Sequence, residues 1–174
     1  MILRLATLDD RAALEPLIAA SARELSTGDY TPEQVEGALR GAFGVDSQLL
    51  RDGTFWVAEL DHRIVACGGW SKRRTLFGSD ARSDRAAELL DPTRDAAKIR
   101  AFFVDPAFAR RGIGRAILHR CEAEARAAGF TRFELMATLP GQRLYEKEGY
   151  AAADPTDYPL GDGLTIRFVP MTKC

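Results

Sequence analysis

Apolar residues at strand and helix spacings divide the first part of the chain into distinct elements. Ile2–Leu5 is a short segment, apolar except for Arg4, that predicts an opening strand. Apolar residues then recur at helical spacing over residues 14–25, after Thr7 and Asp10, which form an acidic variant of a capping box. Because proline lacks a backbone N–H and its ring clashes inside a helix, we expect Pro16 to kink or split this first helix.

A second helix is predicted to begin at Pro32. Thr31 is suited to cap it, proline suits the first helical position, and Gln34 can reach back to the cap. The predicted buried face of this helix carries Val35, Ala38, Leu39 and Phe43.

Two segments rich in β-branched and aromatic residues, 54–60 and 63–70, predict a β-hairpin. Only Asp61 and His62 separate them, which is the length of a tight hairpin turn. We therefore interpret His62 as a turn residue and not as a metal ligand.

The rest of the chain alternates strands and helices after one irregular segment. Residues 75–97 break the periodicity and combine five acidic residues with three arginines. A connection of this length is typical of a lid or substrate loop, or of a solvated surface loop. The pattern then predicts a strand at 98–104, a helix from after Pro106 to Ala128 with Gly129 as its left-handed cap, a strand at 131–137, a short helix at 140–148 and a last strand at 164–169.

Single helices between strands, with one hairpin, predict an α/β (α+β) fold built on one sheet of mixed strand direction. The 174 residues fit a single domain, 1–174. A chain of this length buries roughly 70% of its unfolded surface, so it can form a core without disulfides. The formal charge of −1 argues against a nucleic-acid partner and against binding to an anionic membrane.

The three cysteines and two histidines lack the spacing of a zinc site, so we expect no metal. Charged residues interrupt the first ten positions, and no apolar run approaches 18 residues. These two features favour a soluble protein of a reducing cytoplasm.

Residues 100–116 carry the strongest indication of chemistry. A buried strand and a turn lead into Gly112 and Gly114 directly before a helix. N–H groups at a helix start are unpaired and carry the positive end of the helix dipole, and glycines let a diphosphate approach them. Arg110, Arg111 and Arg115 would add positive charge and forked donors. The segment therefore predicts a local site for the phosphates of a nucleotide.

Two common nucleotide motifs fit this segment poorly. A P-loop requires a lysine followed by a hydroxyl residue, and the segment supplies neither in that order. The dinucleotide fingerprint is matched by Gly112, Gly114 and the later acid Glu134. However, Ile117 replaces its third glycine, and seven residues separate the strand from the first one.

A third motif, Arg/Gln-x-x-Gly-x-Gly/Ala, is matched by Arg111, Gly114 and Ala116. With it, residues 103–116 resemble the strand, β-bulge and pyrophosphate loop of the GNAT superfamily of acyl-CoA-dependent N-acetyltransferases. A second block, Leu-Tyr-Glu-Lys-Glu-Gly-Tyr at 144–150, is similar to the short helix and following strand of that family. The order of predicted elements agrees with the family along essentially the whole chain.

The resemblance implies a single GNAT-like domain whose sheet is mixed and mostly antiparallel, with a splayed parallel strand pair and flanking helices. It implies that acetyl-CoA binds with its pantetheine arm along backbone groups of the splayed strand, where Val104 is the main partner. An extended amide ligand can complete such a sheet as an added strand does. Backbone N–H groups of 111–115 would hold the pyrophosphate. The implied cofactor-binding residues are Phe102, Phe103, Val104, Arg110, Arg111, Gly112, Ile113, Gly114, Arg115 and Ala116.

The resemblance also makes Tyr145 the predicted catalytic residue, because it lies at the family's tyrosine position. A phenol with a pKa near 10 is protonated at neutral pH and can give a proton to a departing thiolate. Two features depart from the family pattern. Thr138 and Gly141 replace an Asn and an Ala, and the central strand carries no glutamate to act as general base. Water, Glu24 and Glu134 stay open as proton acceptors.

We therefore expect an N-acetyltransferase that moves acetyl from acetyl-CoA to a primary amine by direct attack in a ternary complex. The acceptor is a small-molecule amine or an amine of a protein, and a homodimer is compatible with the family. Two alternatives stay open. One is a non-catalytic acyl-CoA-binding module or sensor, and the other is a nicotinamide-dependent enzyme, which Glu134 supports.

Overall fold

The computed structural model of the chain describes residues 1–82 and 88–174. The helices in these ranges are α1 (Arg11–Leu25), α2 (Pro32–Leu39), α3 (Ser47–Asp52), α4 (Ile113–Ala127) and α5 (Leu139–Lys147). The strands are β1 (Ile2–Leu5), β2 (Phe55–Leu60), β3 (Arg63–Ser71), β4 (Ala97–Val104), β5 (Phe133–Thr138), β6 (Ala151–Ala152), β7 (Thr156–Gly161) and β8 (Leu164–Lys173).

The described strands form one sheet in the order β1-β2-β3-β4-β5-β8-β6, and β7 also pairs with β8. β4 and β5 run parallel, whereas the neighbouring pairs β3–β4 and β5–β8 are antiparallel. Apolar residues of α1, α2 and α3 pack on one face of the sheet, and those of α4 and α5 pack on the other. The predicted α/β (α+β) fold with a mixed, mostly antiparallel sheet is therefore confirmed.

The first helix runs through Pro16 without a break, so the predicted split is wrong. Thr7 and Asp10 form the predicted capping box, in which the Thr7 N–H donates to the Asp10 carboxylate at 2.8 Å. The box opens a short 3-10 turn that continues directly into α1. Pro16 removes a single backbone donor, and buried apolar residues on both sides of it hold the helix on the sheet.

Two other local predictions are confirmed. The Thr31 hydroxyl accepts a hydrogen bond from the Gln34 N–H at 3.2 Å, and α2 begins at Pro32. Asp61 and His62 form the hairpin turn with φ of +48° and +61°, the left-handed conformation that a tight hairpin turn requires. The His62 side chain is 99% exposed, which fits a turn residue.

The helix begins later than the apolar pattern predicted after Pro106, and directly after Gly112 of the glycine segment. A 3-10 turn at Pro106–Phe108 comes first, and α4 begins only at Ile113. Arg110 and Gly112 lie between them with φ of +65° and +79°, which is incompatible with a continuous right-handed helix. The shift produces a loop directly before α4.

Three elements were not located by the apolar pattern, although the resemblance implied a strand after the short helix. α3 spans six residues, which is too short to show a helical period. β6 spans two residues, and β7 contains Asp157 and Pro159, which strands disfavour. The last strand also continues to Lys173, four residues beyond the predicted end at Val169.

The irregular segment after β3 is partly anchored to the α1–α3 face. The Ser79 N–H and hydroxyl both donate to the Gly41 carbonyl at 2.8 Å. The Asp80 carboxylate accepts from the Ser47 N–H at the start of α3, at 2.9 Å. Residues 83–87 of the predicted lid or substrate loop lie outside the described residues, and that assignment stays a prediction.

Candidate active site

A β-bulge interrupts β4 at Ala101. The pairing with β3 joins Gly69 to Arg100 and Cys67 to Phe103, so β4 has one residue more than β3 between these pairs. Ala101 has φ of +58°, a left-handed conformation that costs a residue with a Cβ roughly 1–2 kcal/mol. The Cys67 thiol donates to the Ala101 carbonyl, with 3.6 Å between sulfur and oxygen. Because a bulge bends its strand and locally interrupts the pairing, this one determines the direction of the last residues of β4.

β4 and β5 separate over this stretch. The two strands pair at Ala97 with Phe133 and at Lys98 with Glu134. β5 is then paired with β8 along its length, whereas β4 stays paired with β3 to its end. Within the described residues, the edge of β4 that faces β5 therefore has no strand partner over residues 99–104. This gap is the splayed end that the resemblance implied.

Phe102 and Phe103 point to opposite faces of the sheet. The Phe102 ring lies on the α4 side, where a Cβ on Gly68 would come within 2.8 Å of it, so β3 needs a glycine there. Phe103 packs edge-on against Phe43 on the α1 side, with 5.8 Å between ring centroids. Both side chains are half-buried and pack against the core, and the backbone of 102–104 is the part that borders the gap.

The Val104 amide already has a partner in the gap. Its N–H donates to the hydroxyl of Ser21 in α1 at 3.1 Å. The following N–H, of Asp105, donates to the Val65 carbonyl of β3 at 2.8 Å. Since successive amides of a strand point to opposite sides, the Val104 N–H points away from β3, toward the gap. Nothing in the sequence indicated that Ser21 lies here.

The predicted phosphate loop is a left-handed turn followed by the first turn of α4. Gly112 has φ of +79°, and no described atom lies within 4 Å of the position its Cβ would take. The first helical hydrogen bond runs from the Ala116 N–H to the Gly112 carbonyl at 3.0 Å. The N–H groups of Ile113, Gly114 and Arg115 lie ahead of that bond, so they are the donors a helix start offers to an anion.

Gly114 brings the three predicted site segments together. A Cβ at this position would stand 3.6 Å from Val104 Cγ2 and 3.6 Å from Leu144 Cδ2, which are ordinary contact distances. The start of α4 therefore lies beside the end of β4 and beside the residue that precedes Tyr145. Segments distant in the sequence thus border one site.

One of the exposed loop arginines, Arg111, lies over an aromatic ring. Arg110 and Arg111 are both exposed, and the Arg111 guanidinium lies over the Phe108 ring at 5.1 Å. Arg63 of β3 lies over the same ring at 5.7 Å and pairs with Asp105. Phe108 thereby ties the loop to the β-hairpin, a contact that the sequence did not indicate.

The third loop arginine, Arg115, lies beside an acidic residue that follows α5. Its Nε is 4.0 Å from a Glu148 carboxylate oxygen. The other oxygen of Glu148 lies 2.6 Å from Nε2 of His119, one turn further along α4. Glu148 therefore connects the end of α5 to the first two turns of α4.

Tyr145 is buried beside the splayed strand. Its ring meets Phe102 edge-on at 6.2 Å and Tyr150 at 5.8 Å between centroids. Burial raises the pKa of the Tyr145 phenol well above its usual value, and the neighbouring Cys121 adds to the shift. The phenol is therefore protonated at neutral pH, the state in which it can donate a proton or a hydrogen bond.

The two departures from the family motif before Tyr145 fit each other. The Thr138 hydroxyl accepts from the Gly141 N–H at 3.2 Å and caps α5. A Cβ on Gly141 would stand only 3.0 Å from that hydroxyl oxygen and 3.6 Å from the Tyr145 ring. Glycine at 141 therefore gives room for the threonine cap.

The carboxylates nearest the splayed strand are held by cations. Glu134 of β5 pairs with Lys98 of β4. Arg100 of β4 pairs with Asp46 at 2.6 Å, with side chains only 2% and 0% exposed. Glu24, the other acid considered as a base, is exposed on α1. The buried Arg100–Asp46 pair was not predicted from the sequence.

A cavity of about 310 Å³ opens on the α1 face of the sheet. Ile18 and Phe43 contribute apolar lining, and Arg11 and Asp80 contribute charged groups that pair at 2.9 Å. Phe43 also contacts Phe103 of β4. The wall of the cavity at Phe43 is therefore in contact with the splayed strand.

The described residues hold neither a cluster of metal ligands nor a membrane-spanning helix. Across 1–82 and 88–174, no three His, Cys, Asp or Glu side chains are grouped as a metal site would require. None of the described helices is long and apolar enough to cross a bilayer.

Solved structures share this fold at low sequence identity. A GCN5-related N-acetyltransferase from Rhodopseudomonas palustris is 22% identical, with 99% of this chain and 94% of that chain covered and a TM-score of 0.72. PaiA N-acetyltransferase from Thermoplasma acidophilum, solved with coenzyme A, is 16% identical. The match covers 99% of this chain and 97% of that chain, with a TM-score of 0.66. YncA from Salmonella typhimurium, solved with acetyl-CoA, is 16% identical. The match covers 99% of this chain and 92% of that chain, with a TM-score of 0.64.

The solved structures show the fold, and a family model shows the family. The search of curated proteins gave no significant match. The model of the acetyltransferase (GNAT) family matches residues 20–150, which is well over half of the chain and includes the splayed strand, the loop and Tyr145. The chain therefore belongs to the GNAT family of acetyltransferases.

Proposed function

We propose that this protein transfers the acetyl group of acetyl-CoA to a primary amine by direct attack in a ternary complex. The observation that carries the proposal is the meeting of three elements at Gly114, which lies at contact distance from Val104 and from Leu144. An extended amide ligand in the gap beside β4 would have a helix start for its phosphates and the Tyr145 phenol within one site.

The transfer forms a bond between the amine nitrogen and the thioester carbonyl carbon and breaks the carbon–sulfur bond. The departing sulfur needs a proton, and Tyr145 is the proposed donor because its phenol is protonated at neutral pH and its ring lies against Phe102 of the splayed strand. Solvent then restores the phenol proton. The amine must also lose a proton. Since Glu134 is paired with Lys98, we propose that water accepts it.

The site residues fit a coenzyme A ester better than a nicotinamide nucleotide. The dinucleotide interpretation depends on Glu134 binding a ribose hydroxyl. In the structure, Glu134 pairs with Lys98 at the point where β4 and β5 are still joined. PaiA and YncA, which share the fold, were solved with coenzyme A and acetyl-CoA respectively.

The acceptor amine is proposed to approach from the α1 face, opposite α4. The cavity of about 310 Å³ on that face supports this approach, because its lining residue Phe43 contacts Phe103 of the splayed strand. A small-molecule amine and a protein amine are both consistent with an opening on the surface.

A non-catalytic acyl-CoA-binding module is the second candidate. The composition of β4 favours it. Some members of the family carry a glutamate base on this strand, whereas β4 carries no glutamate and its Arg100 is paired with the buried Asp46. Such a module would bind acetyl-CoA through the same loop and strand without transferring the acetyl group.

Release of free CoA, followed with a thiol-reactive dye, separates these two functions. The variant Cys174→Ser serves as the enzyme, because the exposed Cys174 thiol would react with the dye. A panel of small amines and of peptides with free amino groups provides the acceptors. Release that requires an amine supports the transferase. Binding of acetyl-CoA without release for any amine contradicts it and supports the module.

A further inference from the structure

Ser21 holds a hydroxyl at the amide that β4 presents to the gap. Its side chain is buried, with 6% exposure of the residue, and its Oγ accepts from the Val104 N–H at 3.1 Å. The two residues are 83 positions apart and belong to α1 and β4. The contact therefore comes from the tertiary packing of the first helix on the splayed strand.

The Val104 amide needs this partner when the gap holds no ligand. The amide points away from β3, since the next one along donates to the Val65 carbonyl. β5 pairs with β4 only at Ala97–Phe133 and Lys98–Glu134, so it supplies no ladder partner at the level of Val104. Val104 is half-buried under α1, and an N–H shielded in this way costs free energy comparable to a lost hydrogen bond when it has no acceptor. Ser21 removes that cost by supplying an oxygen.

We propose that Ser21 is a displaceable plug, whose hydroxyl occupies the place of a ligand carbonyl oxygen until acetyl-CoA binds. One N–H makes one good hydrogen bond, so Ser21 and a carbonyl oxygen of the pantetheine arm compete for Val104. Rotation of the serine side chain to another staggered rotamer releases the amide without moving the backbone. The inference rests on the proposed function, because it assumes that acetyl-CoA uses this amide.

A plug and a direct ligand contact have opposite consequences for affinity. If Ser21 contributed a hydrogen bond to acetyl-CoA, its removal would weaken binding. If Ser21 is a plug, acetyl-CoA must break an existing hydrogen bond, and removal of the hydroxyl leaves an unpaired amide that the ligand then satisfies. The Ser21→Ala variant should therefore be less stable without ligand, bind acetyl-CoA more tightly, and regain its stability when saturated.

Isothermal titration calorimetry and thermal unfolding test this directly. For Ser21→Ala we expect the Kd for acetyl-CoA to fall by about 5-fold to 10-fold, the lower part of the range that an unpaired buried amide implies. The unfolding midpoint should fall in the free protein and match the wild type at saturation. Ser21→Thr keeps the oxygen and should retain the wild-type Kd. Ser26→Ala removes the same group from another buried position near the end of α1 and should leave the Kd unchanged.

An unchanged or weaker affinity in Ser21→Ala overturns the plug. If this variant cannot be purified, Ser21→Cys tests the same point, because sulfur is a weaker acceptor and should also give tighter binding. The proposed function is tested separately by the wild type. A wild type that binds acetyl-CoA and acetylates amines, together with a Ser21→Ala variant of unchanged affinity, rejects the plug alone. A wild type that does not bind acetyl-CoA rejects both.

Discussion

The ring of Tyr145 meets the ring of Phe102 edge-on, with 6.2 Å between their centroids. Phe102 belongs to the splayed end of β4, and Tyr145 belongs to α5. The Phe102 ring packs closely on β3 at Gly68. Its contact with Tyr145 therefore fixes the phenol relative to the backbone that borders the gap. The geometry of the proposed proton donor is thus set by core packing.

The Tyr145→Phe variant should lower kcat by about 10²-fold to 10⁴-fold, the usual contribution of a general acid. Its KM for acetyl-CoA and its unfolding midpoint should change little, because the ring and its contacts are kept. Steady-state kinetics with a saturating amine measure both constants. Tyr150→Phe is the matched control, since the Tyr150 hydroxyl donates to Glu122 at 2.8 Å and should affect stability, not kcat.

The pH dependence provides a second check on Tyr145. Burial raises its pKa above 10, so the proton-donating form persists as the pH rises toward 10. The wild type should therefore show no loss of kcat from this group between pH 7 and about pH 10. An unchanged kcat in Tyr145→Phe across that range would show that Tyr145 is structural.

Gly114 should tolerate a small side chain for folding but not a large one for ligand binding. A Cβ at this position lies at ordinary contact distance from Val104 and Leu144, so Gly114→Ala should fold normally. Gly114→Val adds methyl groups where the pyrophosphate would approach, and its Kd for acetyl-CoA should rise more than 10-fold. Calorimetry of both variants measures the effect. Wild-type affinity in Gly114→Val would contradict the assignment of the phosphate loop.

The three cysteines should differ in reactivity by their burial. Burial raises the pKa of the Cys67 thiol to about 12 and also raises that of Cys121, so neither forms thiolate at pH 8 in the folded protein. Cys174 is exposed. Iodoacetamide at pH 8 should modify Cys174 in the native protein and all three after unfolding, as read by mass spectrometry. Fast native labelling of Cys67 would contradict its position under the bulge.

The buried pair of Arg100 and Asp46 should be important for stability. Asp46→Ala leaves a buried guanidinium without its carboxylate, and loss of one partner of such a pair typically costs about 3–5 kcal/mol. Urea unfolding measures the change. Asp157→Ala, which removes the partner of Arg167 from an exposed pair, is the control and should change stability little. Equal effects in the two variants would contradict the burial of Arg100.

Local interactions explain which parts of this fold could be predicted from sequence. The Thr31–Gln34 cap and the Asp61–His62 turn each involve a few consecutive residues, and both formed as predicted. The phosphate loop was found by a motif, Arg111 with Gly114 and Ala116, whose spacing reflects the geometry of a helix start. The exact start of α4 was missed because positive φ at Arg110, a residue without a local signal for it, delays the helix.

Long-range contacts explain the rest. Ser21 contacts Val104 only because α1 packs on the splayed strand. Arg100 pairs with Asp46, which lies in the connection between α2 and α3. No spacing rule links such pairs. The effect of a proline on a helix also depends on tertiary packing. Pro16 lies inside α1 because its buried neighbours hold the helix on the sheet.

A thermal-shift series with acetyl-CoA, CoA, ATP, NAD and NADP at equal concentrations tests the central claim most directly. A ligand at 100 times its Kd adds about 2.7 kcal/mol, which for a chain of this size raises the midpoint by about 5 to 11 °C. The account predicts that acetyl-CoA and CoA stabilise the protein and that NAD and NADP do not. Stabilisation by a nicotinamide nucleotide alone would contradict the acetyl-CoA site.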